Sequence, residues 1–387
     1  MERKANVLVI GNSGVGKSTL INSIFGSERA VTGLGEAVTT QMEVYDNEVL
    51  PFRIIDSIGF EYGFLKQRKA IGAVVDWSKK SIKEDALDKQ IDLIWYCVDA
   101  TSRKMFGKNI EMLAKAVKIW KDAPVLVVLT KSYSTIEDED NKQMVRVAFS
   151  KFKKINLKDV VSVVAQPYQI DEDVIVGARG ITELIERTNE LLPEAMQLNE
   201  VAVADFKLKQ KRMQANALTA TATVAAATVG AVPIPFADAA ILTPLELGVI
   251  KLISKIYNVP SNSSTGEQLI KGIVEMGTVS MAARGVISGL KAIPVLNLGT
   301  SVLNAIVAGA IMAAVGEATI YIMERIYLGE KDAADLDWAK KVVESEIGKS
   351  ALGSVQSVLK EVANVDKLDK KMLAEMIAKI ISKNKKQ

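Results

Sequence analysis

The run Gly11-Asn12-Ser13-Gly14-Val15-Gly16-Lys17-Ser18 has the residue types and the spacing that hold a chain of phosphates. Its glycines let the backbone curl, so that successive N–H groups from Asn12, Ser13, Gly14, Val15 and Gly16 point inward at anionic oxygens. Lys17 would neutralise the β- and γ-phosphates of a nucleoside triphosphate, and the Ser18 hydroxyl would take one Mg²⁺ position. A helix starting near Gly16 adds the positive end of its dipole, which brings Thr19 into the binding set.

These residues need a strand before them and a helix after them. Ala5–Ile10 is an apolar run, and Leu20-Ile21 and Ile24-Phe25 follow at helical spacing. Further along, Gln41–Val49 alternates as a half-exposed strand does, and Phe52–Asp56 reads as its hairpin partner after Pro51. Ile91–Val98, Val125–Leu129 and Val160–Ala165 are short apolar runs of the kind buried in parallel sheets. Helical patterns lie between them, roughly over 64–90, 108–121, 137–154 and 181–192. Strands alternating with helices predict an open α/β sheet with crossover connections, with ligand at the carboxyl ends of the strands.

Two more stretches fall at those ends. Asp56-Ser57-Ile58-Gly59 closes a strand; its aspartate can hold Mg²⁺ through a water, and the bare Gly59 N–H can approach a γ-phosphate. The loop Thr32–Thr40, rich in glycine and ending in Thr39-Thr40, could close on metal and γ-phosphate and release after hydrolysis. Lys17, Thr40 and Gly59 are therefore the expected catalytic set, and Ser18, Thr40 and Asp56 the expected metal set.

In these motifs residues 5–192 resemble small GTPases of the Ras-like and translation-factor-related class, nearest the septin, dynamin and immunity-related branches. The resemblance implies a P-loop NTPase sheet, GTP as substrate, GDP as product, and Mg²⁺. It places Thr130-Lys131-Ser132-Tyr133 where the family carries its guanine motif, N/T-K-x-D, so Thr130 and Lys131 join the nucleotide-binding set. Tyr133 stands where the family has the aspartate that pairs with guanine N1 and N2. The acidic run Glu137–Asp140 offers a substitute carboxylate or a solvated helix start. Val164-Ala165-Gln166 departs from the family's base-covering S-A-x, and Phe60 stands where the water-orienting glutamine would be. Slow intrinsic hydrolysis is expected.

After an amphipathic helix ending near 192, Pro193 is expected to open an all-helical remainder. The expected division is residues 1–192, a helical linker over 193–214, and a hydrophobic helical domain with a basic tail over 215–387. Met213–Ala237 and Ala292–Gly316 contain no charged residue, and each is long enough in principle to cross a bilayer, which takes about 20 residues. Both carry small-residue stripes, Thr219, Thr223, Ala227 and Ala231 in one and Ser301, Ala305, Gly309 and Ala313 in the other. Lys207, Lys209, Lys211 and Arg212 precede the first segment, the arrangement that keeps such an end in the cytoplasm. A bundle whose central helices are buried all round and insertion or reversible association at the inner membrane both remain open. Around Ala231–Asp238 and Ile293-Pro294 the chain resembles a hydrophobic C-terminal domain of unknown function carried by bacterial GTPases and some inner-membrane proteins. The tail, with Met372, Ile377, Ile380 and Ile381 against several lysines, is expected to dock on the bundle or lie on anionic lipid.

The bulk composition excludes other chemistries. The chain of 387 residues has no histidine, which removes histidine-based metal sites and Ser–His or Cys–His catalysis. Its single cysteine, Cys97, excludes a disulfide framework and suits a reducing, cytoplasmic side. A net charge of +3 does not point to nucleic acid. Met1–Lys4 leads straight into the first strand, so no secretory signal is expected. The expected partners are GTP and GDP, a membrane surface, and further copies of the chain.

Overall fold

The computed structural model describes residues 4–25, 42–46, 50–57, 90–102, 110–111, 113–114, 117, 120, 123–171, 174–198, 200–231, 237–279, 300–346, 350–362 and 370–384. Thr39, Thr40, Gly59, Phe60, the helix expected over 64–90 and much of that over 108–121 lie outside them. The chain divides into two compact units, Met1–Gln166 with Ala178–Gln210, and Pro167–Gly177 with Lys211–Gln387.

In the first unit the apolar runs form a six-stranded sheet. Its strands are β1 (Ala5–Gly11), β2 (Met42–Tyr45), β3 (Phe52–Ser57), β4 (Leu93–Asp99), β5 (Val125–Thr130) and β6 (Leu157–Ser162), in the order β2-β3-β1-β4-β5-β6. All neighbours are parallel except β2, which pairs antiparallel to β3 with Met42 opposite Ser57 and Tyr45 opposite Ile54. Alternate residues feed two cores. Val7, Val9, Ile54, Trp95 and Val128 pack with Leu20 and Ile24 of helix α1 (Lys17–Phe25) and with Leu184. Leu8, Ile10, Ile55, Tyr96 and Val127 pack with Val145 and Phe149 of helix α2 (Asp138–Ser150). Apolar residues on both faces are what make a parallel sheet stable, and they put the carboxyl ends of β1, β3 and β5 at one edge.

Helix α3 (Ile181–Leu191) covers the first core; Trp95 Nε1 donates to its Thr188 hydroxyl at 2.9 Å, which satisfies the one polar atom of a fully buried indole. β6 starts three residues before the run Val160–Ala165 and shifts register between Val125 and Leu126. A short hairpin, β7 (Tyr168–Asp171) with β8 (Val174–Val176), follows it and was not expected from the sequence. Pro193 opens only a 3₁₀ turn, Glu194–Met196, because Gln197 returns to extended backbone; the α-helix starts at Glu200.

That helix, α4 (Glu200–Gly230), is followed by α5 (Ala237–Ile256), α6 (Ser264–Val279), α7 (Thr300–Tyr327), α8 (Leu336–Glu346), α9 (Leu352–Val362) and α10 (Lys370–Asn384). Within the second unit the small-residue stripes meet. A Cβ placed on Gly316 would lie 2.4 Å from the Thr219 side chain, one on Gly309 3.4 Å from Ala227, and one on Gly230 2.9 Å from Ala308. The order of those pairs runs α4 and α7 antiparallel. Thr219, Thr223 and Thr319 turn their hydroxyls onto the carbonyls of Ala215, Thr219 and Val315, so no polar atom of theirs is left in the apolar seam.

Among the described residues one helix, Ser301–Tyr327, is long and apolar enough to cross a membrane, with a mean hydropathy of 1.8; 72% of its apolar window is buried by its surroundings. α4 stops at Gly230, short of the uncharged segment's end at Ala237. α10 buries Leu373, Ala374, Ile377, Ile380 and Ile381 and leaves Glu375 and Lys379 outside, packing against α7 and α9. Arg212 donates through Nε and Nη2 to Glu324 at 2.6 Å each, tying α4 to α7.

Glu246 is 3% exposed, and its Oε2 has no partner among the described residues. Burial pushes its carboxyl up to about 8. The folded chain therefore holds a proton that the unfolded chain releases near its ordinary value of 4.5. Stability from this group is full below that value and falls as pH rises through about 8. Glu246→Gln is expected to remove a slope of up to about 1.4 kcal/mol per pH unit over that window, read from denaturant midpoints at several pH values. An unchanged slope would contradict a protonated Glu246.

Candidate functional site

The glycine loop begins where β1 meets its neighbour most closely. A Cβ at Gly11 would sit 2.6 Å from the Cys97 carbonyl oxygen, so only glycine ends the strand there. Gly14 and Gly16 take φ of 78° and 100°, the left-handed region, which lets the loop turn back on itself before α1 begins at Lys17. Ser13, Gly14 and Ser18 are exposed at the rim. Lys17 is buried, and its Nζ donates to the carbonyls of Gly11 at 2.8 Å and Asn12 at 3.0 Å. The start of the loop thus holds an ammonium group on the carbonyls of Gly11 and Asn12, and Thr19 follows in the first turn of α1.

Asp56 stands on the adjacent strand, β3, in register with Val9. Burial pushes its carboxyl up to about 6, against the attraction of Lys17 and with the help of Glu43. Its Oδ1 is buried and has no partner among the described residues. A buried carboxylate oxygen left open, at the same edge of the sheet as the exposed Ser18, fits a hard divalent cation, whose charge would offset the desolvation. Cys97, in the same core, has its thiol pushed up to about 12 by burial, which makes it inert.

On the other side, the end of β5 is fastened to the loop. Thr130 Oγ1 lies 2.5 Å from the Val15 carbonyl and 3.0 Å from that of Val98. Lys131, at φ 53°, sends Nζ to the Gly14 carbonyl at 2.8 Å and to Asp99 at 2.7 Å. Burial works to raise Asp99, but the bonds from Lys131 and Thr101 outweigh it and hold the carboxyl below the usual range. The alkyl stem of Lys131 therefore crosses from β5 to the phosphate loop.

The acidic run divides. Glu139 is exposed and pairs with Arg146, as a solvated helix start would. Asp138 does not: it accepts from the Ser132 hydroxyl at 2.9 Å and pairs with Lys142 at 3.2 Å, with Arg179 Nη2 at 3.8 Å. Burial is again outweighed, by the nearby Ser162 hydroxyl, the bond from Ser132 and the pair with Lys142, which together hold the Asp138 carboxyl below the usual range. Arg179 Nη2 also donates to the Ser132 carbonyl at 2.6 Å. Asn12, Ser13, Gly14, Val15, Gly16, Lys17, Ser18, Thr19, Asp56, Thr130 and Lys131 are thus brought to one edge of the sheet; Thr40 and Gly59 lie outside the described residues. Asp99 and Arg179 carried no motif that would have pointed to them, and Ser132 stood only at the unspecified position of the stretch Thr130–Tyr133.

Comparisons with known proteins agree with this arrangement. Residues 6–131 match the family model described as a 50S ribosome-binding GTPase, and residues 195–349 match a domain of unknown function, DUF697. Cell division control protein 10 of Saccharomyces cerevisiae is 26% identical over 178 residues, 40% of this chain and 54% of that protein. GTPase Era of Geotalea uraniireducens is 34% identical over 134 residues, 33% of this chain and 40% of that protein. The tRNA modification GTPase MnmE of Clostridioides difficile is 33% identical over 151 residues, 38% of this chain and 30% of that protein. The chain spans about half or less of the length of these relatives. The part that matches the GTPase model and the part that matches the domain of unknown function lie one after the other in the chain.

Proposed function

We propose that the chain is a Mg²⁺-dependent, GTP-binding and slowly GTP-hydrolysing switch. One observation carries this: the glycine loop around Lys17, the buried open oxygen of Asp56 and the bridge from Lys131 to Gly14 converge at one edge of the sheet. The GTPase model matched by residues 6–131 supports the substrate, and the relatives named as GTPases support hydrolysis. Lys17 would lie on the β- and γ-phosphates, and the N–H groups of Asn12–Gly16 would cradle them. Ser18 and Asp56, the latter through a water, would hold the metal, which supplies charge neutralisation on the phosphates. Thr40 and Gly59 would report the γ-phosphate, and Thr130 and Lys131 would border the base. Phe60 offers no hydrogen bond to an attacking water, so turnover should be slow until a partner or a second copy supplies one.

The output is proposed to be association of the helical part with a membrane surface, at the cytoplasmic face, or with other copies of the chain. The length and hydropathy of Ser301–Tyr327 favour the membrane. The burial of that helix favours a second reading, in which a packed helical module docks on a large partner such as the ribosome, in line with the description of the matched family model.

Phosphate release from GTP should be slow, disappear with EDTA, and rise per molecule with protein concentration if a second copy completes the site. No GTP consumption under any condition would overturn the hydrolase reading. Flotation with anionic liposomes is expected with a non-hydrolysable GTP analogue; lipid binding in neither state, together with co-sedimentation with ribosomes, would favour the second reading.

A further inference from the structure

The residues that follow β5 are held from behind by a small polar cluster that the phosphate chemistry does not use. A nucleotide whose phosphates lie in the Gly11–Ser18 loop must extend its base along the strand ends, and the bridge from Lys131 to Gly14 makes Thr130–Tyr133 the next wall. Beyond Thr130, which ends β5, that wall is not held by helix or sheet. Ser132 sits beyond the last residue of β5, and its N–H donates to the Val163 carbonyl at 3.2 Å. Its hydroxyl goes to Asp138, and its carbonyl accepts from Arg179 Nη2 at 2.6 Å.

Arg179 is itself fixed. Its N–H and carbonyl pair with the carbonyl and N–H of Val164 at 2.9 and 3.0 Å, an isolated bridge that ties it to the segment after β6. The next residue, Gly180, takes φ 80° with its α-carbon so close to β6 that a Cβ would be 1.9 Å from the Ser162 carbonyl oxygen. Arg179 thus joins the two segments that leave β5 and β6, by its guanidinium to Ser132 and by its main chain to Val164, with Asp138 at 3.8 Å to balance its charge. Its Nε is buried and has no partner among the described residues, so only the Nη2 side of its fork is spent on the wall. Lys131, strained at φ 53°, depends on Ser132 staying in place, since a free chain would relax that angle and withdraw the side chain from Gly14.

We propose that Arg179, acting through Ser132 and braced by Asp138, is the positioning residue for the nucleoside side of the site. This rests on the reading of the edge as a nucleotide site. Loss of Arg179 would then weaken binding of a nucleotide that has a base and ribose and leave binding of a bare triphosphate chain nearly alone, because Lys131 meets the Gly11–Ser18 loop at the Gly14 carbonyl, while Lys17, which would take the phosphate charge, is held by the carbonyls of Gly11 and Asn12. A brace of the fold in general would weaken both alike.

The test is calorimetric titration of the full chain, with Mg²⁺, by GTP and by inorganic tripolyphosphate. For Arg179→Ala the expected result is a GTP Kd raised about tenfold or more with the tripolyphosphate Kd within about twofold of the parent. Arg179→Lys keeps the charge but not the planar fork, and should fall between the two. Equal weakening of both ligands, or no weakening of either, would overturn the proposal. If Arg179→Ala does not fold, Arg179→Lys and Asp138→Asn must show the same split, and its absence in both is equally fatal. Failure of the parent chain to bind either ligand would overturn the nucleotide reading itself, and is told apart because it needs no variant.

Discussion

Lys17→Ala is expected to abolish nucleotide binding at micromolar concentrations and to cut turnover by on the order of 10²–10³. The expectation follows from where the ammonium group is. It is buried inside the loop, and its two hydrogen-bond partners among the described residues are neutral carbonyls, those of Gly11 and Asn12. Its charge is thus available to an anion, and a triphosphate would bring several negative charges to it. Backbone N–H groups alone cannot replace a full charge in a partly desolvated loop. The substitution also removes the attraction that opposes the burial of Asp56, so that carboxyl should move further up from about 6 and hold a metal less well. Circular dichroism should be unchanged, because among the described residues Lys17 bonds only to Gly11 and Asn12, close to it in the chain. A variant that binds GTP within about twofold of the parent would contradict the assignment.

Gly316→Ala is expected to destabilise the helical unit, although alanine is the better helix former by about 1 kcal/mol. The new Cβ would lie 2.4 Å from Thr219 Cγ2 and 2.6 Å from its Oγ1. Thr219 has little room to yield: it is β-branched, on a helix, and its hydroxyl is bonded to the Ala215 carbonyl at 2.9 Å. Overpacking of this kind costs about 1–3 kcal/mol, and Gly316→Leu should cost more. Thr219→Ala in the same chain removes both clashing atoms, so the double variant should recover most of the loss. That recovery, measured as a coupling energy in a double-mutant cycle, separates a close α4–α7 contact from a general intolerance at Gly316. Additive effects would mean that the two residues do not touch.

The two seams of the molecule differ in how far they could be read in advance. The strands were legible because each parallel strand is buried on both faces and so reads as an unbroken apolar run, as in Val125–Leu129. The glycine loop was legible because its chemistry fixes residue type and spacing together. The small-residue stripes were legible as helix-packing faces, although Gly316 and Gly230, where the helices come closest, lie outside the residues first picked out.

The cluster around Ser132 was not legible. Arg179 is 47 positions away, and nothing in its surroundings marks it as facing that loop; only the pairing with Val164 brings it there. Asp138 looked like one of several acids at a solvated helix start, and its separation from Glu139 is a matter of which side of α2 each faces. The hairpin over 168–176 is too short for periodicity to register, with strands of four and three residues.

A GTP site must recognise the base as well as the phosphates, and Tyr133 takes the place of the carboxylate that the resemblance would put beside guanine. Competition of GTP and ATP against a fluorescent GTP analogue, with Mg²⁺ present, addresses that most directly. GTP is expected to displace the analogue at lower concentration than ATP, and Lys17→Ala is expected not to take up the analogue at all. Displacement by ATP at the lower concentration, or by neither nucleotide in the parent chain, would contradict a GTP site.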